Sequence, residues 1–210
     1  MNPRLSVQPH DLLWGLSVAD LPADVPAWVV DVVRRGHPVV VRRAIVSTDA
    51  VAVGVRGRSR GERYAAVLKR CDIVKQIKPE QLIDAQLEHD NDWSALRALR
   101  QVFSVMSLLD LPWGVAGSVG FELASGVPVL HQDSDLDLIL RTDRFFSRQQ
   151  AAQLVQALEG RACRIDLQLQ TPSGAVALRE WAGQAQQVLL KSDDGALLVS
   201  NPWQLQACPA

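Results

Sequence analysis

Two hydrophobic periods alternate through the second half of this chain, and that alternation restricts the fold more than any other feature. Leu96, Leu99, Phe103, Met106 and Leu109 recur at three and four residues, the spacing of one helix face, with Asp92 placed as a cap and Pro112 as a stop. DLDLILR then reads at the strand period of two. SRQQAAQLVQALEG returns to the helical period, with Ser147 and Gln150 matching a capping box and Gly160 where a C-terminal glycine belongs. In CRIDLQLQ, Cys163, Ile165, Leu167 and Leu169 fall on one face and Arg164, Asp166 and Gln168 on the other. VLLKSDDGALLVS, two apolar runs around Asp193, Asp194 and Gly195, is a hairpin signature. Strands interleaved with helices predict an α/β (α+β) fold with a mixed sheet. Trp181 and Trp203, near the hairpin, read as packing residues.

Residues 1–90 read as a smaller α/β module that precedes a second unit at 91–210. HPVVVRRAIV and AVAVGVRG predict strands, GRSRG a turn, and PEQLIDAQLEHD a helix with Pro79 at its first position. The polar cluster HDND marks the boundary. At 210 residues, 48% hydrophobic and 21% charged, the chain buries a core without disulfides. Cys71, Cys163 and Cys208 are scattered and odd in number, so no zinc site or redox pair is legible. No apolar run approaches the ~18 residues of a membrane span, and the N-terminus lacks the apolar core of a secretory signal, so a cytoplasmic location is expected.

A net charge of -1 conceals a local asymmetry. Between Asp31 and Arg70, ten basic residues face three acidic ones, a balance of +7 that would recruit a polyanion or an acidic partner. Tyr64 is the one aromatic of that block, which argues against a nucleic-acid groove. His10 and His131 stand alone in sequence and receive no catalytic role.

The chemistry concentrates in GSVGFELASGVPVLHQDSDLDLIL. Period-two geometry puts Asp135 and Asp137 on one side of a strand while Leu136, Leu138 and Leu140 face a core. Two carboxylates so close repel unless a cation lies between them, and hard oxygen donors suit Mg²⁺ held together with substrate phosphates. Gly117 and Ser118 stand upstream at a strand-to-helix turn, where free N–H groups favour a phosphate. Asp166 offers a third carboxylate on another strand. Such a set suits metal-assisted phosphoryl or nucleotidyl transfer.

The Gly-Ser turn, the DxD on the next strand and the separate later carboxylate resemble the nucleotidyltransferase superfamily. With QPHDLLW, VAVGVRGRSRGERYAA, RIDLQLQTPSGAVALREW and VLLKS, the chain looks nearly end to end like the phosphoribosyl-dephospho-CoA transferase family of malonate decarboxylase systems. That resemblance implies transfer of a prosthetic group from triphosphoribosyl-dephospho-CoA to a serine of the acyl-carrier subunit, with release of diphosphate. It implies Mg²⁺ held by Asp135 and Asp137 against the donor triphosphate, Gly117 and Ser118 contacting the phosphates, and Asp166 as third ligand or base. Lys191 would neutralise charge on the leaving diphosphate. Arg56, Arg58, Arg60 and Arg63, around the glycine-rich turn, would grip donor phosphates or the acidic carrier. The interval between Ser118 and Asp135 is longer than in many members of the superfamily. Two other readings remain: a nucleotidyltransferase with a different protein or small-molecule acceptor, and a carrier-binding module without catalysis.

Overall fold

The computed structural model describes residues 6–59, 61–84 and 92–204. Arg60, Cys208 and the first three residues of the HDND boundary, 89–91, therefore lie outside the described residues. Within them the chain builds two sheets and five α-helices, the mixed α/β content expected from the alternating periods.

The first sheet has β1 (Leu12–Trp14), β2 (Val39–Val41), β3 (Ala50–Arg56), β4 (Arg63–Lys69) and β5 (Lys75–Ile77) in the order β4-β3-β2-β1-β5, every neighbour antiparallel. α1 (Ala27–Arg34) buries Val29 and Val33 on it, against Leu13, Val53 and Leu68. β2 is shorter than HPVVVRRAIV predicts, because the chain turns out of the sheet at Arg43. That guanidinium is hydrogen-bonded to Gln170 on the second sheet and lies 3.6 Å from Asp193 in the hairpin loop of that sheet. The segment from Pro79 closes a single 3-10 turn, Pro79–Leu82, and residues 85–91 lie outside the described part.

The second sheet contains β6 (Trp113–Val115), β7 (Leu136–Arg141), β8 (Ile165–Thr171), β9 (Gly174–Ala177), β10 (Val188–Ser192) and β11 (Gly195–Val199), ordered β11-β10-β9-β8-β7-β6. β7 and β8 are parallel and the remaining pairs antiparallel. Parallel neighbours need a crossover, which α4 (Arg148–Leu158) supplies. Ser147 caps it as expected, its hydroxyl accepting from Gln150 N at 3.1 Å, and Gly160 has the left-handed φ of +69° that ends it. α2 (Ser94–Ser107) buries Leu96, Leu99, Val102 and Met106 against the sheet. Its N-cap is Trp93 rather than Asp92. Asp92 instead pairs with Arg97 at 2.9 Å and Arg100 at 3.8 Å, and Leu109 packs on the core beyond the helix end.

α3 (Gly117–Ser125) follows β6 directly, and α5 (Leu178–Ala182) follows β9. The hairpin forms with Asp193 and Asp194 as its two-residue loop. Trp181 is buried with its ring 5.3 Å from that of Trp203, which bears out a packing role for both. Cys71 and Cys163 are free thiols. No described helix is long and apolar enough to cross a membrane.

Candidate active site

Both halves of the acidic constellation are placed by apolar residues. Leu136, Leu138 and Leu140 on β7, and Ile165, Leu167 and Leu169 on β8, are all buried, which turns Asp137 and Asp166 to the opposite face. The parallel register sets Asp137 beside Asp166, so the two Cα atoms stand about 5 Å apart. Both carboxylates line a cavity of about 260 Å³ together with Gln168, Arg164 and Lys191. Arg164 Nε donates to Asp166 Oδ1 at 3.0 Å. Lys191 thus joins the acidic pair from β10, three strands from β7.

Asp135 departs from the expectation of a shared strand: β7 begins at Leu136, so Asp135 lies at its N-terminal edge, half-buried. Burial raises the neighbouring Cys163 thiol above its ordinary value, and the charges of Asp135 and Asp137 push it in the same direction.

The Gly-Ser turn is tightly joined to this face. Gly117 begins α3 with φ +60°, and a Cβ there would collide with the Asp137 carboxylate. The turn therefore requires glycine twice over, for its backbone conformation and for its closeness to Asp137. The long interval to Asp135 is held in place by Glu122, a buried carboxylate whose Oε2 accepts from Val129 N at 2.6 Å and Leu130 N at 2.7 Å.

Arg56, at the end of β3, reaches across from the first sheet and donates from Nη2 to Ser118 Oγ at 2.6 Å, its guanidinium 5.5 Å from the Phe121 ring centre. Desolvation by burial, with repulsion from Arg63, lowers its pKa to about 10, and the charges of Asp137 and Glu122 oppose that shift. Arg56 still carries its charge at neutral pH. Arg63 pairs with Arg56 across β3 and β4. Both line a cavity of about 490 Å³, bounded by Leu12, Tyr64 and Gly117 among others. Arg58 instead lines a cavity of about 850 Å³ with Trp28, Arg35 and His37, on the other side of Arg56. The four arginines of the turn are thus divided: Arg56 and Arg63 by the glycine turn, Arg58 apart, and Arg60 outside the described residues.

Sequence reasoning passed over Gln168, Arg43 and His10. Gln168 lies two residues from Asp166 on the same face, a position that the alternation of CRIDLQLQ does give. Arg43 and His10 come from distant segments, and no spacing marks them.

Comparison with known proteins fixes the family. A model described as the phosphoribosyl-dephospho-CoA transferase MdcG C-terminal domain matches residues 81–202, and its N-terminal-domain counterpart matches residues 8–79. The chain belongs to the phosphoribosyl-dephospho-CoA transferase family. Relatives bearing that name include one from Pseudomonas syringae pv. tomato, 58% identical, covering 95% of this chain and 94% of its own. One from Pseudomonas putida is 52% identical over 97% of this chain and 98% of its own, and one from Pseudomonas aeruginosa is 49% identical over 98% of each. No solved structure matches. As a member of the phosphoribosyl-dephospho-CoA transferase family, the chain is a transferase.

The Mg²⁺ implied by the resemblance can be judged against the donor atoms. Among the described residues no three His, Cys, Asp or Glu side chains are grouped so as to hold an ion by themselves. Mg²⁺ is commonly bound by one or two carboxylates, with substrate phosphates and water completing the shell. Asp137 and Asp166, side by side in the sheet next to the glycine turn, with Asp135 just before β7, offer hard-oxygen donors of that kind, and the residues fit.

Proposed function

We propose that this transferase moves the phosphoribosyl-dephospho-CoA group from triphosphoribosyl-dephospho-CoA to a serine of the malonate decarboxylase acyl-carrier subunit and releases diphosphate. The observation that carries the reading is the Asp137–Asp166 register pair lying against the Gly117–Ser118 turn.

Asp135 and Asp137 would hold Mg²⁺, with Asp166 as third ligand or as base. When bound, the ion supplies Lewis-acid stabilisation of charge on the donor phosphates. The N–H groups that open α3 favour a phosphate by hydrogen bonding and by the helix dipole. Arg56, fixed on Ser118, and Arg63 beside it supply positive charge along the donor, whose phosphates would otherwise be repelled by the acidic pair. Lys191 stands on the acidic face where a departing diphosphate needs a cation. Exposed Arg34, Arg35 and Arg58 offer a contact for an acidic carrier. On this reading residues 1–90 contribute grip and residues 91–210 the chemistry, in the cytoplasm where the carrier is made.

The test is transfer of labelled donor to apo-carrier by folded Asp135→Asn and Asp137→Asn variants. A fall of about a hundredfold or more is expected for each. Near wild-type turnover in both variants would refute the assignment.

A further inference from the structure

His10 belongs to the segment QPHDLLW, which the proposed mechanism leaves unused. The backbone there is under constraint. His10 has φ +76°, a left-handed conformation that is costly for a residue with a side chain and is found where surrounding structure enforces it. The enforcement is visible: His10 N donates to Val41 O at 3.0 Å, and Asp11, fully buried, accepts at Oδ2 from Gln8 N at 2.9 Å and from Gln76 Nε2 at 2.6 Å. These contacts aim the imidazole at the cavity of about 490 Å³ that Gly117 and Arg56 also line.

The ring stands within reach of the side chain of Gln168, which lines the neighbouring cavity of the acidic pair, and a hydrogen bond there favours the protonated imidazole. Such a bond is one the ring donates, so the other ring nitrogen keeps its lone pair. Gln168 is two residues from Asp166 on one strand face, so their Cα atoms stand about 7 Å apart along β8, and Gly117, which shares the cavity with His10, lies against the Asp137 carboxylate. Asp166, by contrast, already accepts from Arg164.

Resting on the reading above, we propose that His10 is the base that takes the proton from the carrier serine. As the serine Oγ–P bond forms at the α-phosphate, the Oγ–H proton passes to the unprotonated ring nitrogen. The bond from that phosphorus to the diphosphate oxygen breaks, and its electron pair leaves with diphosphate. Asp166 would then serve as a metal ligand rather than as the base.

The surroundings explain how such a base is switched. Burial, then the positive charge of Arg43, Arg141 and Lys191, holds the imidazole down to about 4 in the free protein, so it is neutral. Arg42, Arg56 and Arg63, on the wall of the same cavity, add to that field. A bound polyanionic donor offsets these cations and raises the affinity of the ring for a proton at the moment the proton must be accepted.

The experiment uses His10→Gly, since glycine adopts φ +76° without strain and leaves a hole that free imidazole can refill. His10→Asn, which also tolerates a left-handed backbone, is the second variant. Wild-type transfer to apo-carrier is measured alongside; its absence would sink the proposed function and this inference together. With wild type active, the expected result is a kcat lowered by about 10² to 10⁴ in both variants, with donor KM little changed. Added imidazole should restore His10→Gly in proportion to its neutral form and leave His10→Asn unaffected. A kcat near wild type in either variant, or a loss in His10→Gly that imidazole does not restore, would overturn the role of His10 while leaving the function standing.

Discussion

At Gly117 one missing side chain sustains two features of the site. The left-handed φ of +60° is open to glycine at little cost, and the space a Cβ would occupy already belongs to the Asp137 carboxylate. Gly117→Ala must therefore either move the turn away from Asp137 or move Asp137 away from its partner. Transfer should fall about as far as in Asp137→Asn, while thermal unfolding reports a loss on the order of 1 to 3 kcal/mol. Equal activity of Gly117→Ala and wild type would contradict this close approach. The motif was readable as a Gly-Ser turn from its place between an apolar segment and a helical one. Its contact with Asp137 was not, because nineteen other residues lie between Gly117 and Asp137 and only the sheet decides where they meet.

The element that matters most is the β7–α4–β8 crossover. Its register is enforced by two sets of leucines and isoleucines that cannot shift by one residue without exposing a buried row. A start cap at Ser147 helps fix where α4 begins. Ser147→Ala should cost about 1 kcal/mol in chemical denaturation and leave the transfer rate nearly unchanged, since the register is held by the strands. A large loss of activity with little loss of stability would place Ser147 nearer the chemistry than the fold does. This region was legible because its elements span several periods. The three-residue strands β1, β2, β5 and β6 do not, and KQI of β5 carries no pattern by which a sequence could announce it.

Across the whole molecule, the two sheets are joined by polar contacts that bring the arginines of one to the acids of the other. Arg141 on β7 is the most buried of these links: its guanidinium is paired with Glu80 and lies 3.9 Å from Asp11, whose side chain is fully buried. Arg141 Nε donates to Glu80 Oε1, while Asp11 Oδ1, Glu80 Oε2 and Arg141 Nη2 have no hydrogen-bond partner, so the Arg141–Asp11 contact rests on charge. Arg141→Met leaves two carboxylates in a poorly solvated junction, a change of about 3 kcal/mol or more. Burial already raises the Asp11 carboxyl above its ordinary value, and Arg141 opposes that shift. Removing the cation raises the folded-state value further, so the variant should lose most stability above that value and recover as acid protonates Asp11 in both states. Urea unfolding at neutral and acidic pH checks the slope, and an equal loss at both would show that packing rather than charge is responsible.

Within the chain, periodicity alone settled which segments bury which faces: the helix over Leu96 to Met106, the capped helix after Ser147, and the strands that carry Asp137 and Asp166. Those are local matters, decided by spacing over one to three turns. Which faces meet was decided in three dimensions. The choice of Asp166 as register partner of Asp137, the reach of Arg56 to Ser118 and the insertion of His10 beside Gln168 all depend on contacts between residues far apart in the chain. Burial in a shared interior fixes such contacts, and no stretch of sequence records them, because each side chain is chosen for neighbours that only the closed fold provides.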